Sequence, residues 1–329
     1  MTRHHRLSYA GLAAASALVL AGCASGNAAG GQQSGDDAIS VVASTNVYGQ
    51  IAEAVGGDLV DVTSIVTNES QDPHSFEPSA RDQLSVAEAD LVIENGGGYD
   101  GFIDGMIESA GIDVPVVTAV EYSHAYPENE GHDAEAEEDH AHDHDADGHD
   151  HDHIEGFNEH VWYDPHTVAH VAEAIAVELG ELSPDDAEAF TANATAFAAE
   201  VEGLEESLAE IEAAHGGTGV FVTEPVPAYL LEAAGLENVT PEAFSEAVEE
   251  GQDVPPATLL EAIDLIESGD VALVITNTQT AGAETAQIVG EADGRGIPTL
   301  AFSETVPEGQ TYISWMQANV EALGDALDA

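Results

Sequence analysis

The chain has 329 residues, 43% of them hydrophobic, so it can bury substantial cores and is not disordered as a whole. Lys and Arg total 4 against 64 Asp and Glu, a formal net charge of -60, which excludes nucleic acid as a partner and opposes binding to anionic surfaces. Its one cysteine, Cys23, rules out an internal disulfide.

At the N-terminus, Arg3 and Arg6 precede an apolar stretch from about Gly11 to Ala21. That stretch is too short to cross a bilayer as a stable helix and fits an export signal over residues 1–22. Leu20-Ala21-Gly22-Cys23 resembles a bacterial lipobox, in which the thiol of Cys23 is acylated and becomes the first residue of the mature, extracytoplasmic protein. A pair of acyl chains suffices for lasting membrane attachment, and residues 23–38, rich in Gly, Ala and Ser, read as a flexible tether. The mature chain then keeps Arg81 and Arg295 as its basic residues and has no lysine. Self-repulsion on that scale is tolerable mainly where salt screens it, the Debye length being about 3 Å near 1 M, so the acidity reads as a halophilic adaptation, with an acidic face that concentrates cations near a binding cleft as a compatible alternative.

Beyond the tether, short apolar runs recur: VVASTNV from Val41, VDVTSIV from Val60, DLVIENG from Asp90 and VPVVTAV from Val114. Helical patterns separate them around Tyr48–Val55, Ser79–Ala87 and Tyr99–Ala110. The rhythm resumes with GVFVTEP from Gly219, VALVITN from Val271 and IPTLAFS from Ile297. Continuous apolar strands alternating with helices predict an α/β fold of parallel sheets covered on both faces. Two lobes are expected, residues 39–182 and 216–329, joined by one long helix over 183–215. Ser183 reads as its N-cap and Pro184 as its first residue, with Asp186 three positions after the cap. Phe190, Phe197, Val201, Leu204, Leu208 and Ile211 return at helical intervals until Gly216-Gly217 stops the run. About 31 residues at 1.5 Å each reach roughly 46 Å, enough to run along both lobes. A second helix is expected from Thr258, with Glu261 completing a capping box.

The segment 124–153 differs in kind. It carries His124, His132, His140, His142, His144, His149, His151 and His153 among Asp, Glu, Ala and Gly, with almost nothing apolar to bury. Such a tract cannot form its own core and reads as a surface loop whose imidazoles gather zinc weakly and in many arrangements.

Four further residues stand after strands or in connections at strand ends: His74 in QDPHSFEPS, His160 in NEHVWYDP, Glu224 ending GVFVTE, and Glu304 following IPTLAFS. The crevice beyond the carboxyl ends of parallel strands is the usual binding place, so residues from two lobes can meet there. Two neutral imidazoles and two carboxylates would offset a +2 ion and supply four donors. Asn277, ending VALVITN, occupies a similar place and suits a hydrogen-bonding support. Each residue also has a bland reading. His74 can be a turn residue, His160 a packed core histidine beside Trp162 and Tyr163, and the two glutamates are acids among 64. A competing pair, His166 and His170, has the i,i+4 spacing of a metal face, but no glutamate stands between them, and a surface or packing role is expected.

At these residues the chain resembles the zinc/manganese solute-binding lipoproteins of bacterial ABC transporters, the cluster whose two lobes are bridged by one long rigid helix. The likeness runs from roughly Ile39 to Leu327 and rests on DPHSFEP, HVWYDP after a histidine- and acid-rich loop, the long helix, and FSETVPEGQTYISWMQANV. By that resemblance His74 and His160 match the two histidine ligands and Glu224 the third, a histidine or glutamate in members. Glu304 falls at the fourth position, where many members have aspartate, a departure of one methylene. The resemblance implies capture of a metal dication outside the membrane, delivery to an ABC permease, no enzymatic activity and a monomeric protein of a class that includes adhesin-like members. A histidine-rich loop marks zinc-type members, whereas a His-His-Glu-acid set is frequent in manganese-type ones. The preference of imidazole sites for zinc over manganese favours Zn2+, with Mn2+ the alternative. The enzyme rival is a secreted zinc-dependent hydrolase, which needs a vacant coordination position and a general base.

Overall fold

The computed structural model of the protein describes residues 38–129, 154, 156–280 and 282–329. Cys23 and the histidines from His132 to His153 lie outside them.

The first lobe sets β1 (Ile39–Thr45), β2 (Val60–Val66), β3 (Leu91–Glu94) and β4 (Val116–Thr118) in one sheet, ordered β2-β1-β3-β4 with every pairing parallel. The connections are α1 (Asn46–Gly56), α2 (Ala80–Ala87) and α3 (Phe102–Ala110). The β1 residues Val41, Val42 and Ala43 are buried on both faces, as expected of a strand between two helical layers. Ser79 caps α2 in a capping box with Asp82, which fixes the end of the loop that carries His74.

The second lobe repeats the plan. Its strands β5 (Gly219–Val222), β6 (Glu237–Asn238), β7 (Leu273–Asn277) and β8 (Thr299–Phe302) are ordered β6-β5-β7-β8, again all parallel. Around them run α6 (Ala228–Ala233), α7 (Glu242–Glu249), α8 (Pro256–Ser268), α9 (Ala283–Arg295) and α10 (Tyr312–Leu327). In both sheets the chain crosses from one side of the first strand to the other. That crossing opens a crevice at the carboxyl ends of β1 and β3, and of β5 and β7.

The lobes are joined by α4 (Pro165–Leu182) and α5 (Ala187–His215), packed on each other. At 29 residues, α5 extends about 44 Å. Phe190, Ala194 and Phe197 bury its first half, and Leu204, Leu208 and Ile211 its second, in one apolar core continuous through both lobes. The helix begins three residues later than its sequence suggests. Ser183 ends α4 instead, and its hydroxyl donates to Asp186 (2.8 Å) across a turn, leaving Asp186 as the cap residue of α5. Thr258 likewise lies inside α8, which starts at Pro256 because Pro255-Pro256 sets the first turn; its expected capping box with Glu261 does not form. None of the described helices is long and apolar enough to cross a membrane.

Candidate metal centre

The sequence delivers His74 by a turn rather than a regular element. Asp72 accepts from the His74 backbone N–H (3.0 Å) and from the Ser75 hydroxyl (2.8 Å), and Pro73 opens the single helical turn that results. The imidazole then stands edge-on to Tyr99, ring centroids 4.8 Å apart at 87°. His160 precedes a second such turn, Val161–Tyr163, and is 1% exposed. Asn158 orients it: the amide oxygen accepts from the His160 backbone N–H (3.2 Å) and lies 2.7 Å from Nδ1, while its NH2 donates to the Pro225 carbonyl (3.1 Å). With that oxygen already committed as an acceptor, Nδ1 carries the proton and Nε2 the lone pair that a metal takes. The two imidazole centroids are 5.8 Å apart.

Both carboxylates come from the second lobe. Glu224 follows β5, Glu304 follows β8, and each is nearly fully buried. The Asn277 amide at the end of β7 donates to both, to Glu304 at 2.6 Å and to Glu224 at 3.0 Å. Tyr99 reaches across from the first lobe to donate to the other oxygen of Glu304 (3.0 Å), and the Thr280 hydroxyl donates to Glu224. Burial pushes the Glu304 carboxyl up to about 7, against the opposing pull of the Asn277 and Tyr99 hydrogen bonds and with the help of neighbouring Glu224. Burial also raises Glu224, countered by Thr280 and then Asn277. Two carboxyls driven toward neutrality in one chamber make a place where a dication restores the charged forms.

Three of the four expected ligands converge. His74, His160 and Glu304 each present a donor atom within 4.8 Å of the others. Glu224 is not in that triplet; it stands beside it, tied to Glu304 through the shared Asn277 amide. A second overlapping group, His74, Glu159 and Glu249, was not legible from the sequence. Glu159 Oε1 lies 3.9 Å from His74 Nδ1, and Glu249 Oε1 lies 3.8 Å from His160 Nδ1. The position of Glu159 directly before His160 was the available signal for one; Glu249, at the end of α7, gave none among so many acids. A cleft of about 910 Å3 opens onto His74 and has Glu249, Gln279 and Thr280 in its wall. His124 lies apart from these groups, exposed, with Nδ1 3.6 Å from Asp164. His166 and His170 are exposed on α4.

Paired parallel α/β lobes, a stiff helical connection and a buried imidazole–carboxylate cluster at their facing strand ends define a two-lobed solute-binding protein built for a metal dication. The family described as zinc-uptake complex component A, periplasmic, matches residues 41–326, and the chain belongs to that family. It is accordingly an extracytoplasmic, non-catalytic binding protein of an ABC transporter family, and membership implies a permease as its partner. Among curated relatives, the manganese-binding lipoprotein MntA of Halalkalibacterium halodurans is 26% identical over 317 residues, covering 94% of this chain and 95% of the relative. The iron-binding protein YfeA of Yersinia pestis is 23% identical, covering 86% and 84%. The crystal structure of ZnuA superposes with a TM-score of 0.66 at 21% identity, covering 88% of this chain and all of that one. The fold and the class are thereby fixed, and the hydrolase alternative falls away. These relatives bear the names of different metals, so likeness alone does not choose the ion.

Proposed function

We propose that the chain captures Zn2+ between its lobes, with His74, His160, Glu304 and Glu224 as ligands, and hands it to an ABC permease. One observation carries the reading: donor atoms of His74, His160 and Glu304, from two lobes, lie within 4.8 Å of one another. Neutral imidazoles favour zinc over manganese, and two carboxylates cancel the ion's charge. Four protein donors hold an ion without leaving a position for an activated water, which suits carriage rather than catalysis. Release then requires that a ligand be displaced. The cleft onto His74 makes the Glu249 and Thr280 segments the natural place for that movement. Attachment would run through Cys23, with residues 1–22 removed as a signal and 23–38 as tether; intact-mass measurement of membrane-extracted protein without a diacyl adduct would refute it.

A second reading, Mn2+, draws support from Glu159 and Glu249, because extra carboxylates near the imidazoles favour a harder ion. The test is competitive titration of metal-free mature protein with Zn2+ and Mn2+, every histidine from His132 to His153 replaced by asparagine. One tight zinc equivalent is expected, lost in His74→Ala and in His160→Ala. Tighter manganese than zinc would move the assignment to manganese, and no tight equivalent of either ion would overturn the site.

A further inference from the structure

A second group of imidazoles gathers at the start of α4, outside the central cluster. His166 and His170, one helical turn apart and both exposed, have ring centroids 4.7 Å apart. His124, from the segment after β4, brings its ring to 6.4 Å from that of His166. Two of the three rings have a carboxylate against one nitrogen. His124 Nδ1 lies 3.6 Å from Asp164 Oδ2, and His170 Nδ1 lies 3.3 Å from Glu173 Oε2. Such partners orient an imidazole and strengthen the opposite nitrogen as a metal donor. Asp164 is well placed for this because it is buried and tied down: it caps α4, accepting from the His166 backbone N–H at 3.2 Å and from the Thr167 hydroxyl.

We propose that His124, His166 and His170 form a second, solvent-facing site for a borderline transition-metal dication such as zinc or nickel, completed by water. Two histidines at i and i+4 share a helix face and can chelate one ion. A third imidazole from a different segment turns that pair into a three-donor site. The donors do not yet share a common centre, but all three side chains face solvent and reach one by rotamer changes that cost little at a surface. An all-imidazole set discriminates against manganese and magnesium, which prefer oxygen donors. Lacking a ligating carboxylate and open to water, the site binds more weakly than the buried cluster and exchanges its ion with solvent. Nothing in this inference depends on what the central cluster binds.

The test uses the full mature chain with every histidine from His132 to His153 changed to asparagine, and zinc alone as the probe. Equilibrium dialysis against a competing chelator is carried out with the central site intact and in the His74→Ala/His160→Ala background. A tight and a weaker event are expected in the first protein, and the weaker one alone in the second. Substituting His166→Gln together with His170→Gln weakens that event by about tenfold or more, and His124→Gln alone also weakens it. Because all three residues are exposed, thermal melts of these variants match the parent. Absence of the weaker event, or its survival in the double variant, overturns the site. Failure of the central reading would instead remove the tight event and leave the weaker one.

Discussion

Asn277 spends one amide group on two buried carboxylates, to which the second lobe adds the Thr280 hydroxyl on Glu224. The arrangement lowers the cost of holding acids together without abolishing it, which is why burial still lifts Glu304 from 4.5 to about 7. That displacement corresponds to about 3 kcal/mol against the ionised form. A group whose folded value is raised contributes stability that is complete below its unfolded value and lost as pH rises through the folded one. For the metal-free protein the window therefore runs from 4.5 to about 7, with the loss complete above it. Glu304→Gln removes the titration, so the variant should match the parent at the acid end and exceed it by roughly 3 kcal/mol near pH 8.5. Urea midpoints of both metal-free proteins across this range check the point, and a pH-independent difference would contradict it. The same variant should bind zinc more weakly at every pH, because an ionised ligand has been lost. Tyr99 gives a finer measure. Removing its hydroxyl in Tyr99→Phe leaves the triplet intact but takes one donor from Glu304, and should weaken zinc binding by about 10- to 100-fold in the competitive titration. Unchanged affinity would mean that the Tyr99–Glu304 contact does not position the ligand.

The long helix couples the lobes more directly than a tether would. Phe197, near the middle of α5, packs against Tyr312 of α10 with ring centroids 5.9 Å apart, and the Tyr312 hydroxyl donates to the Trp162 carbonyl at 2.8 Å, two residues from His160. Further hydrogen bonds cross the seam from Tyr163 to the Ser303 carbonyl (2.7 Å) and from Tyr229 to the Asn158 carbonyl (2.7 Å). Truncating Phe197→Ala should cost about 3–5 kcal/mol and lower both lobes' stability together. Coincident urea transitions by tryptophan fluorescence and far-UV dichroism are expected, and a biphasic curve would show that the lobes unfold independently. Strands and long helices of this kind were legible in the sequence, because the centres of β1, β3 and β7, Val41–Ala43, Leu91–Ile93 and Leu273–Ile275, are buried on both faces and are apolar runs. The junction of α4 and α5 was less so. Ser183-Pro184-Asp185-Asp186 is good helix-start chemistry, yet the end of α4 claims Ser183, and only the packing of the two helices decides between them. At the metal centre the histidines and Asn277 stood out by type and position. Glu159 and Glu249 did not, since an acid is uninformative in a chain with 64 of them.

Taken as a whole, the chain carries a formal charge of -60 with four basic residues, two of which, Arg3 and Arg6, lie in the N-terminal stretch. The folded body has little opposite charge with which to neutralise itself. Among the described residues, Arg295 is one that does pair, with Glu267 and Glu291. The outer face of α5 shows the consequence. Glu202, Glu206 and Glu210 follow one another at i,i+4 intervals, all exposed, with Glu205 between them. Like charges at that spacing each cost a few tenths of a kcal/mol, and the effect is repeated over the surface. Added salt should relieve it, since the Debye length falls from about 10 Å at 0.1 M to about 3 Å at 1 M, below the spacing of most of these pairs. The melting temperature of the metal-free protein should therefore rise steeply with NaCl over that interval. Most of the gain should arise from screening rather than from any bound ion, so KCl must reproduce it. Converting Glu202, Glu206 and Glu210 to glutamine should raise the low-salt melting temperature and flatten the dependence. The melt in 1 M salt should hardly move. If the triple variant and the parent instead showed the same salt slope, repulsion along α5 would not be what salt relieves.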